Sequence, residues 1–170
     1  MIYLIGYMGA GKSYLGKLLS NKLTVPHLDT DKEIEKIEGI SIIEIFKQKG
    51  EDYFRKIEKK ILYQTKENSV VSCGGGLPIF FKNMNYINNN GTSIYLQGSY
   101  NYLYSKLKKE KGKRPLIKNM SNKQLLEYIK VEVIKRENIY KKAKYTINIE
   151  DKDESEILRN INTLLTNYSI

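Results

Sequence analysis

Short apolar runs alternate with longer stretches of helical spacing along the 170 residues of this chain. Ile2-Tyr3-Leu4-Ile5 is long enough for a buried strand, and Leu15, Leu18 and Leu19 behind it mark one face of a helix over about 12–23. Residues 26–29 read as a second short strand. Helical spacing returns over 33–38, 41–49 and 51–67, interrupted by Gly39 and Gly50. Ile42, Ile45 and Phe46 make one apolar face there, and Phe54, Ile57 and Ile61 another. Val70-Val71-Ser72 is a third strand, 80–88 a weakly patterned helix, and Asn88 to Gly91 a turn. A fourth strand over 92–96 leads to a helix over 100–109, with Leu103 and Leu107 four apart. The basic, weakly patterned stretch 108–121, holding Gly112 and Pro115, reads as a mobile loop. A long helix to about residue 142, a fifth strand over 145–149 and a closing helix over 154–168 complete the chain. Strands alternating with helices predict one three-layer α/β domain, with a parallel sheet and ligands at the strands' carboxyl ends.

Composition narrows the classes. No apolar run approaches the eighteen or so residues that span a bilayer, and no signal-peptide pattern opens the chain, so neither membrane nor leader is expected. The single cysteine, Cys73, cannot form an internal disulfide, which fits a cytoplasmic protein, and it reads as a small packed hydrophobe. The lone histidine, His27, reads as structural. The net charge of +10 would suit a polyanion, but the lysines are spread along the chain and no nucleic-acid motif appears. A nucleotide triphosphate and an acidic small substrate account for positive charge as well.

Chemistry enters after the first strand. Gly6 to Ser13 read G-Y-M-G-A-G-K-S, matching G-x-x-x-x-G-K-[ST] between a strand and a helix. The loop's glycines let backbone N–H groups converge on phosphate oxygens, and the helix points its positive end at them. Lys12 is expected to reach the β- and γ-phosphates, and the Ser13 hydroxyl to ligate Mg²⁺. Tyr14 stands where a dinucleotide fingerprint needs its third glycine, so that reading fails.

The acceptor must be read elsewhere. Asp29 and Asp31 follow the second strand and are expected to face opposite sides, one towards the metal and one towards an acceptor hydroxyl. Arg55 and Glu58 fall on one helical face. Gly74-Gly75-Gly76 offers backbone N–H groups after the third strand, Arg114 lies in the loop, and Arg136 and Tyr140 share a face of the long helix.

Taken together these pieces resemble the shikimate kinase family from Gly6 to Tyr140. The matching pieces are the phosphate loop, D-T-D at 29–31, I-x-x-I-F at 42–46, G-E-x-x-F-R-x-x-E at 50–58, G-G-G at 74–76, R-P-L-I at 114–117 and R-x-x-x-Y at 136–140. The resemblance implies a P-loop kinase fold on a five-stranded parallel sheet. Its core would be 1–31, 68–107 and 123–170, with a substrate-binding helical segment at 32–67 and a lid near 108–122. It implies transfer of a phosphoryl group from ATP to the 3-hydroxyl of shikimate by a monomer. Gly9, Ala10, Gly11, Lys12, Ser13, Tyr14 and Arg114 would bind ATP. Ser13, with Asp29 through water, would hold Mg²⁺, and Asp31, Lys12 and Arg114 would be catalytic. Arg55 and Arg136 would hold the shikimate carboxylate, and Asp31 its hydroxyls. Gly74, Gly75, Gly76, Phe46, Phe54 and Glu58 would complete the acceptor site.

The sequence departs from the family at three places. No arginine stands in 106–113 to stack on adenine, which leaves Lys106 or Lys108; Ser72 replaces the strand-three aspartate; Asn148 and Glu150 flank strand five. The rival readings are another small-metabolite kinase, such as a gluconate-type kinase, and a nucleotide-gated or nucleic-acid-binding module.

Overall fold

A computed structural model describes residues 1–114 and 116–166, without the Lys113 side chain. Five strands, β1 (Ile2–Ile5), β2 (His27–Asp29), β3 (Val70–Ser72), β4 (Thr92–Gln97) and β5 (Tyr145–Asn148), form one parallel sheet in the order β2-β3-β1-β4-β5. The central strands are buried on both faces, which is why they read as unbroken apolar runs. From β1 the chain runs one way to β2, then only the other way. Right-handed crossovers therefore put α1 (Lys12–Leu23) on one face and the later connections on the opposite one. These connections carry α2 (Thr30–Glu38), α3 (Ile42–Tyr63), α4 (Asn83–Asn90), α5 (Tyr100–Glu110) and α6 (Asn122–Tyr140). The closing α7 (Glu154–Thr166) packs beside α1.

Several boundaries differ from the periodicity, each for a local reason. α2 starts at Thr30, three residues early, because the Asp29 carboxylate caps it by accepting from the N–H groups of Asp31 and Lys32. Two expected helices run together as α3, bent at Gly50 (φ 78°, ψ 172°), a conformation only glycine holds without strain. α3 stops at Tyr63 instead of continuing to 67. α4 begins at Asn83, because Phe81 and Lys82 take left-handed backbone angles. α5 runs to Glu110 and a short 3-10 helix, Lys111–Lys113, follows, so part of the expected loop is helical. Pro115 and the expected end of the last helix at Tyr168 lie outside the described residues.

The apolar faces of α2 and α3 bury Ile34, Ile45, Phe54 and Ile61 in a small cluster separate from the main core. The two faces read from the sequence thus meet in one cluster.

Strand register assembles the site. Leu4, Ser72 and Asp29 lie level across β1, β3 and β2. Two residues beyond each, Gly6, Gly74 and Asp31 emerge together at the carboxyl edge. β1 sits at the centre, where connections diverge to both sides, the crevice at which open parallel sheets bind ligands.

Candidate active site

The phosphate loop is shaped by its backbone. Gly11 caps α1 in a left-handed conformation (φ 79°), which directs the first helical N–H groups into the loop. The Lys12 ammonium folds back over the loop and donates to the carbonyls of Gly6 and Tyr7, both at 2.9 Å. Burial lowers its pKa to about 8, with Asp31 pulling the other way. Beneath the loop, a Cβ on Gly16 would collide with Ser72 Oγ and lie 2.7 Å from His27 Nε2. Ser72 Oγ donates to the Lys12 carbonyl at 2.8 Å and meets His27 Nε2 at 2.9 Å. Ser72 and His27 therefore brace the loop from below, and His27 is structural as expected.

A cavity of about 300 Å³ opens above this loop. Lys12, Ser13, Asp29, Asp31, Cys73, Gly75 and Arg114 line it. The two aspartates thus share one cavity instead of facing opposite ways. In an extended chain, residues two apart lie on the same side, and here the chain also turns from strand into helix between them. Burial raises the Asp31 pKa, with the Lys12 ammonium opposing it. Cys73 is buried and burial pushes its thiol pKa up, so it packs without acting as a nucleophile. Arg114 donates through Nε and Nη2 to Glu110 at 3.0 and 2.7 Å.

The G-G-G turn gathers the remaining residues. A Cβ on Gly74 would collide with Asp31 Oδ1 and lie 2.9 Å from Glu58 Oε1. One on Gly75 would lie 3.8 Å from Arg136 Nη1, and one on Gly76 would run into the Arg55 guanidinium. Two arginines 81 positions apart in the chain therefore flank adjacent residues of one turn. Arg55 donates to Glu58 at 2.5 Å, and through Nε and Nη2 to Glu51 at 3.1 and 2.9 Å. Its guanidinium lies 4.2 Å from the Phe80 ring centre, 5.0 Å from that of Phe54 and 5.8 Å from that of Phe46. Burial raises Glu58 to about pKa 7, against the pull of Arg55. Tyr140 donates to the Gly75 carbonyl at 2.5 Å, tying α6 to the turn, and Arg136 pairs with Glu132.

A second opening of about 700 Å³ lies on the other side of the loop. Gly9, Ala10, Gly11 and Tyr14 form one wall, Lys106 and Tyr102 another, and residues 152–155 a third. Lys106 lines it, over the Tyr102 ring, whereas Lys108 lies against the Tyr104 ring. Glu150 accepts from the Ser99 N–H and so braces the start of α5, which explains an acidic residue after strand five.

Sequence reasoning missed Phe80, Tyr7 and the glutamates on the arginines. Phe80 carries no periodic signal, since it precedes α4 in an irregular turn. The glutamates do carry one: Glu51, Glu110 and Glu132 each stand four residues before a site arginine.

A phosphate loop at the centre of a parallel sheet, with acidic and basic side chains gathered on the neighbouring turn, defines a P-loop kinase. The comparisons with known proteins specify which. The shikimate kinase family model matches residues 8–166, and the chain belongs to that family. It is 40% identical over 168 residues to the shikimate kinase of Flavobacterium psychrophilum, covering 96% of this chain and 98% of that one. The crystal structure of shikimate kinase from Bacteroides thetaiotaomicron superposes with a TM-score of 0.92 at 34% identity, over 97% of both chains. Shikimate kinase from Acinetobacter baumannii in complex with shikimate superposes with a TM-score of 0.86 at 29% identity, over 99% of this chain and 94% of that one.

Proposed function

We propose that the protein transfers the γ-phosphoryl group of ATP to the 3-hydroxyl of shikimate, giving shikimate 3-phosphate and ADP for aromatic biosynthesis. The observation that carries this reading is the meeting of Arg55 and Arg136 at Gly75–Gly76, beside Asp31 and across a cavity from Lys12. Two planar guanidinium forks suit a carboxylate. Asp31 suits hydroxyls, and the rings of Phe46 and Phe54 suit the apolar face of a small carbocycle. The α2–α3 segment is then the acceptor-binding unit, with Gly74, Gly75 and Gly76 offering backbone contacts and Glu58 ordering Arg55. We read the protein as a cytoplasmic monomer.

In this mechanism Gly9 to Tyr14 hold the nucleotide, and Lys12 and Arg114 neutralise charge on the transferred group. The acceptor oxygen attacks the γ-phosphorus, its proton passes to Asp31, and the bond from that phosphorus to the ADP oxygen breaks. Asp31 can take that proton only when ionised; burial works against that form and the Lys12 ammonium favours it. Ser13 and Asp29 line the phosphate cavity and fit Mg²⁺, which takes few protein oxygens and completes its shell from phosphate and water. When bound, the ion would supply positive charge against the phosphoryl group being transferred. Segment 108–122 would close over both ligands, carrying Arg114 inward and excluding water.

ADP release measured with shikimate, with gluconate and with no acceptor tests the reading. Turnover confined to shikimate is expected; equal turnover with gluconate would favour the gluconate-type rival. Arg55→Lys should raise the shikimate KM by roughly tenfold or more, the loss of one bidentate contact, and an unchanged KM would remove Arg55 from the acceptor site.

A further inference from the structure

Tyr128, Glu132, Arg136 and Tyr140 stand at four-residue intervals along one stripe of α6. That stripe looks onto Tyr7 in the phosphate loop. The Arg136 guanidinium lies 5.4 Å from the centre of the Tyr7 ring, and the Tyr7 hydroxyl feels all four members of the stripe. Tyr7 is 2% exposed, yet its hydroxyl has no hydrogen-bond partner among the described residues. Buried hydroxyls are nearly always paired, so an orphan of this kind asks for a reason.

Glu132 supplies one. Its carboxylate is engaged with Arg136 Nη2, while Arg136 Nη1 faces Gly75 and the acceptor site. The side chains of this pair are only 17% and 23% exposed, so solvent screens them little. Four residues before Arg55 and Arg114, Glu51 and Glu110 are 53% and 51% exposed, and such surface pairs contribute little; Glu58, the buried partner of Arg55, is pushed by burial towards its neutral form and competes less as a charge. A carboxylate arriving at Arg136 therefore meets another already seated there. If the resident one turns aside, the unpaired phenol beside it is a donor without an acceptor.

We propose that Glu132 competes with the substrate carboxylate for Arg136, and that the Tyr7 hydroxyl receives Glu132 when substrate displaces it. Glu132 is thus a positioning residue that sets acceptor affinity without touching the acceptor. The proposal rests on Arg136 binding the acceptor's carboxylate.

Glu132→Gln keeps an oxygen to which Arg136 can donate and removes the competing charge. The shikimate KM should fall roughly two- to fivefold, because one carboxylate on Arg136 is exchanged for another and only the difference between the two pairs is read, with the ATP KM unchanged. Tyr7→Phe should raise the shikimate KM, and this effect should vanish in the Glu132→Ala background, where position 132 offers the Tyr7 hydroxyl no side-chain acceptor. Thermal unfolding of each variant confirms that a folded enzyme is being assayed. A raised shikimate KM in Glu132→Gln overturns the competition, since Glu132 would then be holding Arg136 in place for substrate. Equal Tyr7→Phe effects in both backgrounds overturn the handover. Arg136→Lys separates the layers: an unchanged shikimate KM overturns the carboxylate reading of Arg136 itself. A raised KM there, with no response in Glu132→Gln, overturns the competition alone.

Discussion

Asp31 and Glu58 crowd the same glycine, and burial raises the pKa of both. Their roles differ because their neighbours differ. Asp31 faces Lys12 across the phosphate cavity, whereas Glu58 is tied to Arg55. Asp31→Asn should lower kcat by about 10²–10⁴, the usual loss when a general base is removed; a near-normal kcat would leave Asp31 a binding group only. Glu58 gives a pH signature in stability. Its pKa rises from the ordinary 4.5 to about 7 on folding. Between those values the folded protein holds a proton that the unfolded chain has lost. Through this group stability therefore falls as pH rises across that window, and falls no further above it. Glu58→Gln should flatten the slope in denaturation measured from about pH 4.5 to pH 8. A slope as steep in the variant as in the wild type would assign the dependence to other groups. The Arg55–Glu58 pair was legible in the sequence, because positions three apart on a helix are neighbours. Phe80 was not, because it reaches Arg55 from a different segment of chain.

At the scale of elements, α3 delivers Arg55, and its bend at Gly50 sets the angle at which it does so. The space around a Cβ at Gly50 is open, so any cost of substitution there comes from the backbone alone. Gly50→Ala should destabilise the protein by about 1–3 kcal/mol, the cost of holding a side-chain residue in a glycine-only conformation. It should also raise the shikimate KM; urea denaturation and steady-state kinetics read the two effects. The first and third strands and α1 matched their periodicity because local signals mark them: apolar runs for the strands, and the phosphate loop with a helical leucine face for α1. Boundaries failed where a side chain or an unusual backbone angle decided them, as Asp29 does for α2 and Phe81 with Lys82 do for α4.

Across the whole molecule, a net charge of +10 surrounds a site whose ligands are both anions. A field of that sign speeds the arrival of ATP and is screened by salt over about 10 Å at 0.1 M. The kcat/KM for ATP should therefore fall as ionic strength rises from about 0.01 to 0.5 M while kcat changes little; a flat kcat/KM would leave capture to the phosphate loop alone.

The residues themselves carried the alternation of strands and helices, the phosphate loop with its lysine and serine, and the pairing of Arg55 with Glu58. Each of these depends on neighbours within about one or two helical turns, where spacing alone decides what can touch. Only the folded chain decided that Arg55 and Arg136 flank one turn, that Asp29 and Asp31 share a cavity, and that the buried Tyr7 hydroxyl, near Arg136, has no hydrogen-bond partner among the described residues. Those meetings depend on the level at which β1, β2 and β3 end and on how α6 crosses the sheet edge. Pairing between distant segments sets both, and no stretch of the chain encodes either by itself.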